Sequence, residues 1–177
     1  PLSAILGFAQ LMDSGSPSPT PLQKRSIDQI LKAGWYLLDL INEILDLALI
    51  ESGKLSLSME PVSLDEVMHE CRTMIEPQAQ KRGMRLTFPQ FEIPRFVNAD
   101  RTRVKQILVN LLSNATKYST AGGTIAVDCI AITPQRIRVS VTDTGAGLSP
   151  EKLAQLFEPF NRLGQEAKAE QGTGIGL

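Results

Sequence analysis

The chain has 177 residues, enough for one or two small domains with a real core. Apolar residues make up 42%, charged residues 21%, and the formal net charge is −1, the balance of an ordinary soluble globular protein. Basic residues are scattered and no Lys/Arg run alternates with aromatics, so no nucleic-acid partner is expected. No signal peptide and no apolar run of about 18 residues is present, so no membrane contact is expected within this segment. Cys71 and Cys129 are far apart inside apolar-patterned segments and read as buried free thiols.

The first fifty residues read as helix. In Ser26–Ile50 the positions Ile27, Leu31, Gly34, Leu38, Ile41, Leu45 and Ala48 step by 4, 3, 4, 3, 4, 3, the rhythm of a bundle seam. Upstream, Leu2, Ile5, Ala9 and Met12 step by 3, 4, 3 and form a shorter partner stripe. Between them Ser14-Gly-Ser-Pro-Ser-Pro-Thr-Pro21 is a turn that a helix does not cross. Two such helices cannot close a core alone, so a second copy is expected to complete a four-helix bundle. The unequal arms suggest that the first helix begins before Pro1.

From Gly53 the pattern changes, which sets expected domains at 1–52 and 53–177. Lys54–Glu60 alternates as a short strand, and Ser63 caps a helix running to about Arg82, with Glu66 at the capping-box spacing. Arg85–Phe88 and Phe96–Asp100 read as short strands, and Thr102–Tyr118 as an amphipathic helix ending at a Gly122-Gly123 turn. Thr124–Ile132 and Arg136–Thr144 form an expected hairpin, and a short helix follows near Glu151–Leu156. The fold class is therefore α+β: a helical hairpin, then a two-layer sandwich with helices on one face of a sheet.

Three clusters carry chemistry. Asn110 and Asn114 project from one helix face with Lys117 one turn on. An amide oxygen suits Mg²⁺ and a lysine suits phosphate, although the same residues fit an unliganded polar face. Next, the strand Val139–Thr142 delivers Asp143 to its end, where Gly145 and Gly147 let the backbone turn tightly. That carboxylate could accept a hydrogen bond from an exocyclic amine such as that of adenine, or simply close a strand. Finally, Gly172-Thr173-Gly174-Ile-Gly176 exposes amides that can cradle phosphate, or serves as a surface loop. It is neither a Walker loop nor a good dinucleotide fingerprint.

Taken together, these strings resemble the N box, the Asp-x-Gly-x-Gly box and the second glycine box of sensor histidine kinases, with Leu156-Phe157-Glu-Pro-Phe160 similar to their F box. All four stand in family order, and the first half resembles the family's dimerisation and phosphotransfer hairpin. The resemblance implies a Bergerat-type sandwich of the gyrase B- and Hsp90-like superfamily that binds Mg-ATP. It implies that Asn114 ligates Mg²⁺, that Asn110 and Lys117 contact the phosphates or their metal shell, and that Tyr118 lies against adenine. Asp143 would bind the adenine amine beside Gly145 and Gly147. Gly172, Thr173, Gly174 and Gly176 would hold the triphosphate beneath a lid at 161–171 that Phe157 and Phe160 anchor. Implied partners are a second copy of the chain and a response-regulator receiver domain, in a cytoplasmic segment. Membrane anchoring of the full-length protein is left open.

Pro1-Leu2-Ser-Ala-Ile5 resembles the family's stretch just after the phosphoacceptor histidine, which would lie five residues before Pro1. The chain also ends inside a glycine motif, and so reads as part of a longer protein. The only histidine, His69, stands in a different helix and reads as a surface or semi-buried structural residue. Two alternatives remain: a non-catalytic dimeric scaffold, and an ATP hydrolase of the same superfamily. The hydrolases place a Glu where Asn110 stands, and an amide cannot take a proton from water.

Overall fold

A computed structural model describes residues 1–157, and the chain divides into two compact units, Pro1–Leu55 and a second beginning at Ser56. Phe160, Gly172, Thr173, Gly174, Gly176 and the 161–171 stretch lie outside the described residues.

The first unit is a helical hairpin of α1 (Leu2–Ser14) and α2 (Pro21–Glu51). Thr20 starts α2 with a full capping box: its hydroxyl accepts from Gln23 N while the Gln23 side chain accepts from Thr20 N. Pro21 is therefore not part of the breaker but the first helical residue, where its missing N–H costs nothing. At the other end Gly53, with φ +65°, lets the chain fold back so that Lys54 N bonds Leu49 O at 3.1 Å.

The α2 seam is as expected over Ile27, Leu31, Gly34 and Leu38, with Ile27 and Gly34 fully buried. The α1 stripe is corrected. Leu6 and Ala9 face α2, whereas Ile5 and Met12 are 54% and 57% exposed. Gly34 explains the rotation, because a Cβ there would stand 2.7 Å from Leu6 Cδ2, so the glycine leaves the notch into which Leu6 packs. An ion pair from Lys24 to Asp13 closes the turn end of the hairpin.

The second unit contains β1 (Glu60–Ser63), α3 (Leu64–Lys81), β2 (Arg85–Thr87), β3 (Phe96–Ala99), α4 (Arg101–Tyr118), β4 (Thr124–Thr133), β5 (Arg136–Asp143) and α5 (Pro150–Ala154). The expected strand at Lys54–Glu60 is absent. Pairing begins at Glu60, opposite Ala99, because only from there does β3 offer a ladder, and Ser58 N instead bonds Asp100 Oδ2. β1 and β3 form an antiparallel pair, while β2, β4 and β5 form a sheet in that order, parallel then antiparallel.

Both long helices start on side-chain caps. The Ser63 hydroxyl accepts from Glu66 N at 3.4 Å, and Asp100 Oδ1 from Arg103 N at 3.1 Å. Bonds from the Ser58 and Arg103 amides hold the Asp100 carboxyl below its usual range. α3 and α4 lay their apolar stripes on β4. Val67, Cys71 and Ile75 of α3, Leu108, Leu112 and Ala115 of α4, and Ile125, Val127 and Cys129 of β4 form one core. Both cysteines are buried free thiols, and burial raises the Cys71 thiol pKa. On the surface, Glu70 of α3 bridges Arg101 and Lys105 of α4. Hydrogen bonds from Lys105 and then Arg101 pull its carboxyl pKa down to about 2. Among the described residues, no helix is long and apolar enough to cross a membrane.

Candidate functional site

α4 has two faces of opposite chemistry. Leu108, Leu112, Ala115 and Thr116 are buried against the sheet and α3. Asn110, Asn114, Lys117 and Tyr118 lie within an arc of about 100° at the helical rotation per residue, on the less buried side. The two amides and Lys117 are partly exposed and Tyr118 is 46% exposed. A core-facing role is therefore excluded for all four.

Asp143 ends β5. Its Oδ1 accepts from Gly145 N at 2.6 Å, a local turn that points the strand end toward α4. Beyond it, Gly147 adopts φ +70°. Ser119, the residue after α4, makes an isolated antiparallel bridge to Gly145. A Cβ on Gly145 would stand 2.8 Å from Tyr118 O and 2.6 Å from Asp143 Oδ1, so only glycine permits this approach. The arrangement brings together the Asn–Asn–Lys–Tyr helix face and the Asp143 turn, which are distant in sequence.

Thr144 clasps the two segments, and sequence reasoning missed it. Its Oγ1 lies 3.0 Å from Ser119 Oγ and accepts from Thr124 N at 3.0 Å. Its N–H donates to Ser119 Oγ at 3.2 Å, and its carbonyl accepts from Thr120 Oγ1 at 3.2 Å. Gly123 must lack a side chain for the same reason, since a Cβ would meet Thr144 Oγ1 at 2.1 Å. The only local signal was a hydroxyl between Asp143 and Gly145, which by itself fits any turn.

Phe157, expected to anchor the 161–171 stretch, is 74% exposed among the described residues, and the stretch itself lies outside them. His69, read as a surface or semi-buried structural residue, is exposed on α3. No group of three or more His, Cys, Asp or Glu side chains capable of holding a metal occurs among the described residues. Residues that supply one amide oxygen do fit Mg²⁺, because that ion takes few protein ligands and completes its shell with phosphate and water.

Comparison with known proteins matches both parts of the chain to described families. The family described as His Kinase A (phospho-acceptor) domain matches residues 1–53. The family described as Histidine kinase-, DNA gyrase B-, and HSP90-like ATPase matches residues 99–177. The non-motile and phage-resistance protein of Caulobacter vibrioides is 39% identical across the whole chain, which covers 22% of that protein. A sensor-like histidine kinase of Rhizobium meliloti is 34% identical, again across the whole chain and 34% of its own length. The chain thus spans about a third or less of these curated relatives.

Among solved structures, full-length ShkA in complex with AMPPNP gives a TM-score of 0.77 at 29% identity, over 99% of this chain and 36% of that one. The catalytic domain of histidine kinase ThkA gives 0.58 at 30% identity, over 67% of this chain and 74% of that one. ThkA in complex with the response regulator TrrA gives 0.62 at 28% identity, over 90% and 46%. The chain belongs to the histidine kinase family, within the superfamily of DNA gyrase B- and HSP90-like ATPases.

Proposed function

We propose that this chain is the kinase core of a two-component sensor, which binds Mg-ATP on α4 and the Asp143 turn and passes the γ-phosphoryl to a histidine. The observation that supports the reading is the bridge from Ser119 to Gly145, which ties the end of the helix carrying Asn110, Asn114, Lys117 and Tyr118 to the turn after Asp143. Asn114 would supply an amide oxygen to Mg²⁺, with Asn110 and Lys117 on the phosphates or their metal shell. Asp143 would accept from the adenine amine through the carboxylate edge that Gly145 leaves, and Tyr118 would lie against the base. Gly147 would shape the same wall. Gly172, Thr173, Gly174 and Gly176 would cradle the triphosphate.

Mg²⁺, when bound, neutralises phosphate charge; the chain's own residues position the nucleotide and exclude competing geometry. An amide at Asn110 cannot act as a base toward water, which favours transfer over hydrolysis. Residues 1–52 would serve as the dimerisation and phosphotransfer hairpin and 53–177 as the ATP-binding domain, joined flexibly near Ser52–Lys54. Ile41 and Leu45 continue the α2 seam yet remain 40% and 57% exposed, which supports a second copy completing a four-helix bundle. The final acceptor would be an aspartate of a response-regulator receiver domain, as the ThkA–TrrA complex suggests, in a cytoplasmic segment.

The test is phosphorylation by radiolabelled ATP of the chain extended upstream through the expected histidine and downstream of Leu177. Label lost in acid, kept in base and absent when that histidine is replaced is the expected result. Tight Mg-ATP binding without label would make the protein a nucleotide-responsive scaffold and overturn the kinase reading.

A further inference from the structure

We infer that Arg82 is a positioning residue for recognition of the nucleotide base, acting from outside the site through the end of α4. The inference rests on the nucleotide-binding reading above. Arg82 follows α3 and reaches across to α4, where its Nη1 donates to Lys117 O at 3.0 Å and its Nη2 to Ser119 O at 3.4 Å. These carbonyls belong to the end of α4, which has no further turn to satisfy them. A planar guanidinium at this negative helix end bonds both at once and complements the dipole.

The backbone of Arg82 is fixed as well. Gly122 N donates to Arg82 O at 3.0 Å, and Gly83, with φ +66°, turns the chain there. The guanidinium is thus held against the 117–119 segment from one side. From the other side that segment carries the site. Ser119, 4% exposed, bonds Thr144 through its hydroxyl and bridges Gly145, whose N–H in turn fixes Asp143 Oδ1. Arg82 therefore sets where the α4 end stands relative to the Asp143 carboxylate. Loss of the fork lets the two segments shift, and an error of tenths of an ångström is enough to weaken one directional hydrogen bond. Contacts of Asn114 and Asn110, one and two turns earlier in α4, are less affected.

The effect should therefore appear in base discrimination. The experiment titrates the full chain with Mg-ATP and with Mg-ITP, whose base carries a 6-oxo group in place of the 6-amine. Wild-type protein binds ATP more tightly. Arg82→Met is expected to weaken ATP binding about tenfold and ITP binding less than about twofold, while exchange of the Thr144 and Gly145 amides speeds up. Arg82→Lys keeps a cation but not the fork, so it should fall between the two. It is also the variant to read if Arg82→Met does not fold. A folded variant that melts earlier yet keeps the wild-type ATP/ITP ratio would make Arg82 purely structural and overturn the inference. Wild-type protein that binds neither nucleotide would overturn the nucleotide reading itself.

Discussion

Replacing Gly145 by Ala tests the close approach on which the site depends. The new Cβ would lie 2.6 Å from Asp143 Oδ1 and 2.8 Å from Tyr118 O, against about 3.3 Å for a relaxed carbon–oxygen contact. The Asp143 side chain can rotate away, at the loss of its 2.6 Å bond from Gly145 N. Tyr118 O is backbone, so the end of β5 must back away from α4 by about half an ångström. Two bonds spanning that gap then lengthen, Thr144 N to Ser119 Oγ and Thr120 Oγ1 to Thr144 O, both 3.2 Å already. At about 1 kcal/mol each, their loss amounts to about 2 kcal/mol, or roughly 30-fold in Kd if it falls wholly on nucleotide binding. Calorimetric titration with Mg-ATP measures it, and Gly122→Asn is the control. At Gly122 a Cβ meets nothing within 4 Å, and Asn tolerates its φ of +74°, so Tm should hold within about 4 °C. Gly145→Ala protein with affinity within threefold of wild type would refute the reasoning.

Leu112→Ala, at a fully buried position of α4, should cost about 2–5 kcal/mol by denaturant unfolding, a large share of a typical domain's stability. Glu70→Gln should lower Tm modestly at pH 7 by removing the bridge to Arg101 and Lys105. Because the folded carboxyl pKa is depressed to about 2 from 4.5, its stabilisation is present above pH 4.5 and fades as pH falls toward 2. The wild-type and variant melting curves should therefore converge in acid, and a gap that widens there would be contrary to the ion-pair account. Ile41→Glu combined with Leu45→Glu places charge on the exposed stripe of α2, and sedimentation should show a monomer. A persistent dimer would move the interface elsewhere.

Much of the fold was legible because its signals are local. Ser63 with Glu66 announces a helix start within four residues, and β4 and β5 alternate along their own length. The chemistry-bearing clusters were legible for a similar reason, since Asn110, Asn114, Lys117 and Tyr118 share a face by helical rotation alone. The strand expected at Lys54–Glu60 failed because alternation describes a strand's faces and not its partner. Ser58 has its amide on Asp100, and the ladder with β3 starts only at Glu60. Likewise Leu6 rather than Ile5 faces α2 because the notch at Gly34 receives it, a contact set by the facing helix.

By itself, then, the amino-acid order determined the helical hairpin, the α+β unit after it, the family, and which residue types stand ready for a nucleotide. The tertiary structure decided how those residues meet. Only folding sets Ser119 against Thr144 and Gly145, and sends Arg82 from the end of α3 to the last carbonyls of α4. These contacts join residues 25 to 37 positions apart, and a hydrogen-bonding side chain carries no mark of its distant partner. Periodicity and caps are properties of one segment; a clasp is a property of two, and exists only when the core has brought them together.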